Sequence, residues 1–140
     1  MSADRDRFLA AFPVAPVTLA RLDGFVALLG RWNARINLVA RGTMAELWWR
    51  HVGDSAQLLP LAPPSARHWA DLGSGAGFPG LIVAILAAQC RPQLCVALVE
   101  SDRRKAVFLA MALREAGVAA TVHNARAETL APLGADVVSA

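Results

Sequence analysis

Asp71-Leu72-Gly73-Ser74-Gly75-Ala76-Gly77-Phe78-Pro79-Gly80 sets four glycines within eight positions, between a strand-like run and an apolar helix-like run. Arg67-His68-Trp69-Ala70-Asp71 reads as a short strand, and Leu81 to Ala88 reads as a helix buried on most faces, with Pro79 where a helix tolerates it near the first turn. Without Cβ atoms such a loop takes positive φ and brings its N–H groups close to a ligand. The same arrangement is expected to leave the helix N-terminus facing the ligand's polar groups. Gly75-Ala76-Gly77-Phe78-Pro79-Gly80 matches G-x-G-x-x-G, a weak signal alone and a stronger one when it follows a strand and opens a helix.

A second feature supports a cofactor loop. Leu94-Cys95-Val96-Ala97-Leu98-Val99 is an unbroken apolar run of buried-strand type that ends in Glu100. An acid at the tip of the second strand is where ribose hydroxyls are held in nucleotide-binding sheets. The bland alternative is a tight strand-to-helix turn with a solvated glutamate behind it.

The chain has 140 residues, 56% hydrophobic and 18% charged, which fits one folded domain or a small domain with a helical appendage and excludes disorder. No run approaches the roughly 18 apolar residues of a membrane span. Met1-Ser2-Ala3-Asp4-Arg5-Asp6-Arg7 is too charged to begin a signal peptide, so a cytoplasmic location is expected. Cys90 and Cys95 have no partners at metal-ligand spacing; both read as free, buried, structural thiols, and no metal site is assigned.

The net charge of +3 permits an anionic partner. Arg31, Arg35, Arg41 and Arg50 fall in the N-terminal third, and Arg103-Arg104-Lys105 follows Glu100; these read either as solvated helix faces or as phosphate contacts.

Residues 1–64 are patterned differently from 65–140. Leu22, Phe25, Val26, Leu29 and Trp32 recur at helical spacing, predicting a helix from an N-cap at Thr18 to about Asn37. A second helix is expected from just after Thr43 to about Leu59. Beyond residue 65 the order becomes strand, glycine loop, helix, strand, helix: Ser101 is the expected N-cap of a helix through Arg114 that ends at Gly117. Ala120 to His123 and Asp136 to Ser139 form the third and fourth strands. This alternation predicts an α/β fold, a parallel sheet with a ligand at the carboxyl ends of its strands. Four strands are half of a doubly wound sheet, so either the chain is a fragment or a partner covers the exposed edge.

Five stretches carry a family resemblance: Trp32-Asn33-x-x-x-Asn37-Leu38, Arg50-His51-x-x-Asp54-Ser55, Asp71-x-Gly73-x-Gly75-x-Gly77-x-Pro79-Gly80, Lys105-x-x-Phe108-Leu109 and Arg126-Ala127-Glu128. In that order they resemble the RsmG family, also called glucose-inhibited division protein B. The resemblance runs from about Leu19 to Ala140. It implies a Rossmann-like, S-adenosylmethionine-dependent methyltransferase fold with an N-terminal helical extension, the C-terminal part of the sheet missing. The implied activity is methylation of guanine N7 in small-subunit (16S) ribosomal RNA, so the implied partners are that RNA or a ribosomal particle, with no DNA and no membrane.

Residue by residue, the resemblance sets the Gly73 and Gly75 backbone and the Phe78 ring against the cofactor, and Ala127 and Glu128 against its adenine. Glu100 would hold the ribose hydroxyls. The family's arginine after its Asp-Val-Val strand has no counterpart before Ala140, which sets an expectation of weak methyl transfer.

Guanine N7 carries a free lone pair, so no catalytic acid or base is assigned. His51, Asp54 and Ser55 lie within five residues on one expected helix and cannot converge as a hydrolase triad. They read either as packing with local hydrogen bonds or as a wall of the pocket. Trp48 and Trp49 are adjacent on a helix and cannot both be core; at least one is expected at a surface or seam. Two other functions stay open: a nicotinamide-dependent oxidoreductase, resting on the glycine loop and Glu100, and a truncated module that binds RNA or the ribosome without catalysis.

Overall fold

The computed structural model describes residues 3–140. Its centre is a four-stranded parallel sheet of order β3-β2-β1-β4, built from β1 (His68–Leu72), β2 (Cys95–Val99), β3 (Thr121–His123) and β4 (Val137–Ser139). In register, His68 pairs with Cys95 and Leu72 with Val99, while Trp69 pairs with Val137 on the other side. The chain therefore steps outward from β1 to β3 and then returns to the far side of β1. That reversal puts the crevice of a doubly wound sheet at the carboxyl end of β1.

Residues alternate across each strand, so Trp69 and Asp71 share one face with Val96 and Leu98. That face is covered by α4 (Gly80–Cys90), whose residues from Gly80 to Ala87 are all buried. Its near-continuous apolar sequence is what such a position demands. Next to it lies α5 (Arg103–Ala116), which buries Ala106, Phe108, Leu109, Ala112 and Leu113 and exposes its charged side.

The opposite face carries His68, Cys95, Thr121 and His123, which share a shallow cleft with Leu133 and Ala135. Cys95 is thus free but exposed, as is Cys90 in the last turn of α4, whose thiol donates to the Leu86 carbonyl at 3.3 Å. The expectation of two buried thiols fails because each sits at the end of its element, at the margin of the core.

Two expected caps move by a short distance. Asp102, not Ser101, caps α5: its carboxylate accepts the N–H groups of Arg104 (2.9 Å) and Lys105 (3.1 Å). The helix ends at Gly117 with φ 68°, the left-handed conformation glycine allows. The long helix α2 (Pro16–Asn33) begins at Ala15 with Pro16 in its first turn, so Thr18 lies inside it and its buried hydroxyl reaches Gln89 Oε1 at 3.0 Å. The helix stops before Asn37 because Asn33 Oδ1 accepts the N–H groups of Leu38 and Val39, turning the chain away.

The second helix differs most from expectation. It forms a 3-10 helix over Arg41–Glu46, a π-helix over Leu47–Gly53 and a single α-turn, α3 (Asp54–Ala56). A wide π-turn leaves orphan amides, and here the Asp4 carboxylate accepts those of Trp48 (2.8 Å) and Trp49 (3.2 Å). Asp4 belongs to α1 (Ala3–Ala11), a helix the sequence pattern did not reveal. Phe8 of α1 is fully buried against Phe12 and Trp48, and Arg5 pairs with Asp23 of α2 at 2.7 Å. Trp48 is core, whereas Trp49 is partly exposed under the Arg7 guanidinium at 3.9 Å, the division expected of adjacent tryptophans. One continuous core runs from Phe8 through Phe25 and Leu29 to Phe108 and Leu98.

Candidate functional site

The site grows from the end of β1. Asp71 is fully buried, and its carboxylate joins three elements: Oδ2 accepts the Gly80 N–H at 3.0 Å, and Oδ1 accepts the Ser139 hydroxyl at 2.8 Å. Ser139 Oγ in turn accepts the Trp69 indole N–H at 2.8 Å. A buried carboxylate requires such partners. The result fixes β4 and the start of α4 to β1.

That contact corrects one expectation. The first amides of α4 are not turned outward: Gly80 donates to Asp71, and Leu81 and Ile82 donate to the Gly77 carbonyl. The loop amides are also engaged internally, since Gly73 and Ser74 donate to the Val99 carbonyl, Gly75 to Glu100 and Gly77 to the Ser74 carbonyl. Pro79 has no N–H, and the Phe78–Pro79 peptide is cis. The first amides of α4 are thus committed within the protein, while within the loop those of Ala76 and Phe78 make no such bond.

Glu100 is buried at the tip of β2. Its Oε1 accepts the Gly75 N–H at 2.7 Å and its Oε2 the Asp102 N–H at 2.9 Å, so the acid holds the glycine loop to the start of the following helix. Each oxygen retains a second lone pair. Asn124 closes the same corner by donating to the Glu100 and Ser101 carbonyls at 3.0 and 3.1 Å. Asn124 was missed from sequence; an asparagine directly after a short strand, able to cross-link neighbouring strand tips, is the only local signal.

Gly73, with φ 73°, is exposed, and a Cβ built there would meet nothing within 4 Å. It lines a cleft of about 260 Å³ together with Val99, Ser101, Ala125, Ala127 and Glu128. Ala127 and Glu128 arrive on a 3-10 turn (Ala127–Thr129) just after β3. Glu128 pairs with Arg126 at 3.3 Å; its own backbone N–H and that guanidinium hold its carboxyl below the usual range. Gly73, Ala127 and Glu128 are therefore brought together, with Glu100 behind the loop.

Phe78 is placed elsewhere, beyond the far end of the loop. Its ring stacks on His51 with centroids 5.0 Å apart and meets Phe25 edge-on at 5.7 Å. His51 Nε2 lies 3.2 Å from Thr43 Oγ1, and burial pushes the imidazole pKa down, against Asp54, which raises it. Ser55 donates its hydroxyl to the His51 carbonyl at 2.7 Å, and Asp54 is exposed. No triad forms. Ser55 packs with a local bond, while His51 forms a wall with Phe78.

Comparison with known proteins bears directly on this geometry. The profile of the family described as rRNA small subunit methyltransferase G (GidB) matches residues 18–140. The chain belongs to this family. Among its relatives, the ribosomal RNA small subunit methyltransferase G of Parvibaculum lavamentivorans is 52% identical over 140 residues, covering 98% of this chain and 61% of the relative. That of Rhodospirillum centenum is 53% identical over 133 residues, covering 95% and 59%. The chain thus spans about three fifths of the length of these methyltransferase G relatives. Among solved structures, a putative O-methyltransferase from Klebsiella pneumoniae superimposes with a TM-score of 0.61 at 20% identity, over 98% of this chain and 58% of that one. This likeness places the chain in the Rossmann-like methyltransferase fold. The family and the fold together imply a cofactor of the S-adenosylmethionine type.

Proposed function

We propose that this chain carries the cofactor-binding part of an S-adenosylmethionine-dependent methyltransferase acting on guanine N7 of 16S ribosomal RNA in the cytoplasm. In this reading residues 65–140 form the cofactor domain and 1–64 the helical region that walls its substrate side. The observation that carries the choice of cofactor is the family match over residues 18–140, which reaches well beyond the glycine loop, and the amides at the start of α4 agree with it. A dinucleotide needs free N–H groups at the helix start for its pyrophosphate, and those of Gly80, Leu81 and Ile82 are already satisfied. S-adenosylmethionine has no phosphate to place there. The feature that remains open is the bare Gly73 backbone beside Ala127 and Glu128, a cradle that a Cβ at residue 73 would fill.

Gly73 would lie against the cofactor's amino-acid and ribose part, Glu100 would accept ribose hydroxyls on its spare lone pairs, and Ala127 and Glu128 would border the adenine. Gly75 contributes by anchoring Glu100 rather than by donating to the ligand. The bound cofactor supplies the sulfonium methyl group. Guanine N7 is a nucleophile in its neutral form, so the protein's task is orientation and exclusion of water, effects that supply roughly 7–11 kcal/mol at best. Phe78 and His51 form an apolar, aromatic wall suited to that task.

Titration calorimetry with S-adenosylmethionine, S-adenosylhomocysteine and NAD in parallel tests the reading. The first two are expected to bind and NAD to give no saturable heat. Tighter binding of NAD would overturn the assignment.

A further inference from the structure

A groove larger than the cofactor cleft lies elsewhere on the protein. About 510 Å³ in volume, it lies between the last turn of α2 and the first turn of α5, where Arg31, Arg35, Arg103 and Arg104 surround Trp32 and Val107. We infer that this groove holds single-stranded RNA, its four guanidiniums on phosphates and its apolar floor under an unpaired base. The inference deepens the proposed function by locating where the RNA lies.

Three observations carry it. The direct ion pairs among the described residues are Arg5–Asp23, Arg50–Glu46 and Arg126–Glu128, so none of the four groove arginines makes one, and the N-cap carboxylate of Asp102 acts on Arg104 and Lys105 only at longer range. Arg103 and Arg104 occupy the first two positions of α5, with Lys105 third, where the helix dipole disfavours cations. The N-cap carboxylate of Asp102 offsets part of that cost for Arg104 and Lys105, and an anionic ligand would offset it for Arg103 as well. The floor is also unusual for a solvated charged face: Val107 is half exposed, and Trp32 is partly exposed with its ring against Phe108 at 5.4 Å.

From there an aromatic seam leads towards the cofactor loop. Phe108 adjoins Phe25 at 6.1 Å, and Phe25 adjoins Phe78 at 5.7 Å. The groove floor and the His51–Phe78 wall are thus joined through one buried aromatic cluster. A single strand is the occupant that fits, because unpaired bases can stack on an aromatic floor whereas a duplex keeps its bases stacked inside and offers the floor only its backbone.

The test is fluorescence anisotropy with a labelled single-stranded RNA oligonucleotide, titrated at several salt concentrations against the chain and its variants. Arg103→Gln with Arg104→Gln should weaken binding about tenfold at low salt and make the salt slope shallower by about 0.7 for each phosphate no longer neutralised. Arg31→Gln with Arg35→Gln should do the same. A control pair of equal charge change far from the groove, Arg67→Gln with Arg114→Gln, should leave the slope unchanged. Arg103→Lys with Arg104→Lys should retain it, and the Arg103/Arg104 glutamine variant should melt no lower than the parent, since two cations leave a helix N-terminus.

Equal loss in the control pair, an unchanged slope in the groove variants, or duplex RNA bound as tightly and with the same sensitivity would overturn the inference. Calorimetry with S-adenosylhomocysteine separates the two proposals. If the cofactor binds and RNA binding ignores the groove variants, the groove alone is wrong; if RNA binding follows the groove and no cofactor binds, the methyltransferase reading fails.

Discussion

The two halves of the glycine loop use the same residue for opposite reasons. At Gly80 an added Cβ would come within 2.5 Å of Asp71 Oδ2 and of Leu98 Cδ2, and at Gly77 within 3.0 Å of Leu81 Cβ; these glycines let α4 lie on the sheet. At Gly73 the same atom would project into open space beside Ala127 and Glu128. One half is closed against the protein, and the other is left for something else. A string of glycines in a sequence does not distinguish packing from ligand approach; the surroundings of each Cβ position do.

The largest effect should come from the closed half. Gly80→Ala forces an atom into the Asp71–Leu98 contact and disturbs the amide bonded to Asp71, a cost of about 3 kcal/mol. Thermal denaturation followed by circular dichroism should show a melting point lower by about 10 °C. An unchanged melting point would mean that α4 does not sit as closely on β1 as the structure places it.

Next comes Gly73→Val. Its positive φ makes any side chain strained by about 1–2 kcal/mol, a smaller loss of stability than in Gly80→Ala. Binding of S-adenosylhomocysteine should nevertheless disappear in calorimetry. Full affinity in a folded Gly73→Val variant would reduce the open half to a turn.

Glu100→Gln probes the link between the halves and the strand tip. It keeps the shape but replaces one acceptor with an NH2 group facing a backbone N–H, costing about 1.5 kcal/mol in urea denaturation and weakening cofactor binding. Equal stability of variant and parent would show that the loop holds its form without the acid.

The smallest effect concerns His51. Burial lowers its folded pKa below the usual histidine value, so the folded state favours the neutral ring. Its contribution is complete above the unfolded pKa and is lost as pH falls through the folded one. The parent should therefore lose stability relative to His51→Phe as pH drops below about 6.5. Parallel stability curves for the two would show that the ring is solvated.

Much of this was readable from the sequence because local signals decide it. The four strands, α4 and the positive-φ end of α5 follow from apolar runs and glycine placement. What could not be read depends on partners distant in the chain. Asp71 takes the Gly80 amide from nine residues away, so a helix N-terminus that looks open in sequence is closed in space. Asp4 supports the π-turn at Trp48 from 44 residues away, and helical periodicity carries no sign of such a turn. The short helix α1 was hidden because only Phe8 of its nine residues is fully buried. Of the residues expected at the site, Gly73, Ala127 and Glu128 share one cleft, whereas Phe78 belongs to the His51 wall.

Backbone amide shifts measured by nitrogen-15 NMR during titration with S-adenosylhomocysteine test the open-and-closed division most directly. Saturable shifts should centre on Gly73, Ala127 and Glu128, extend to Glu100, and leave Gly80, Leu81 and Ile82 nearly unmoved. Shifts centred on Gly80 and Leu81, with Gly73 and Ala127 silent, would contradict it.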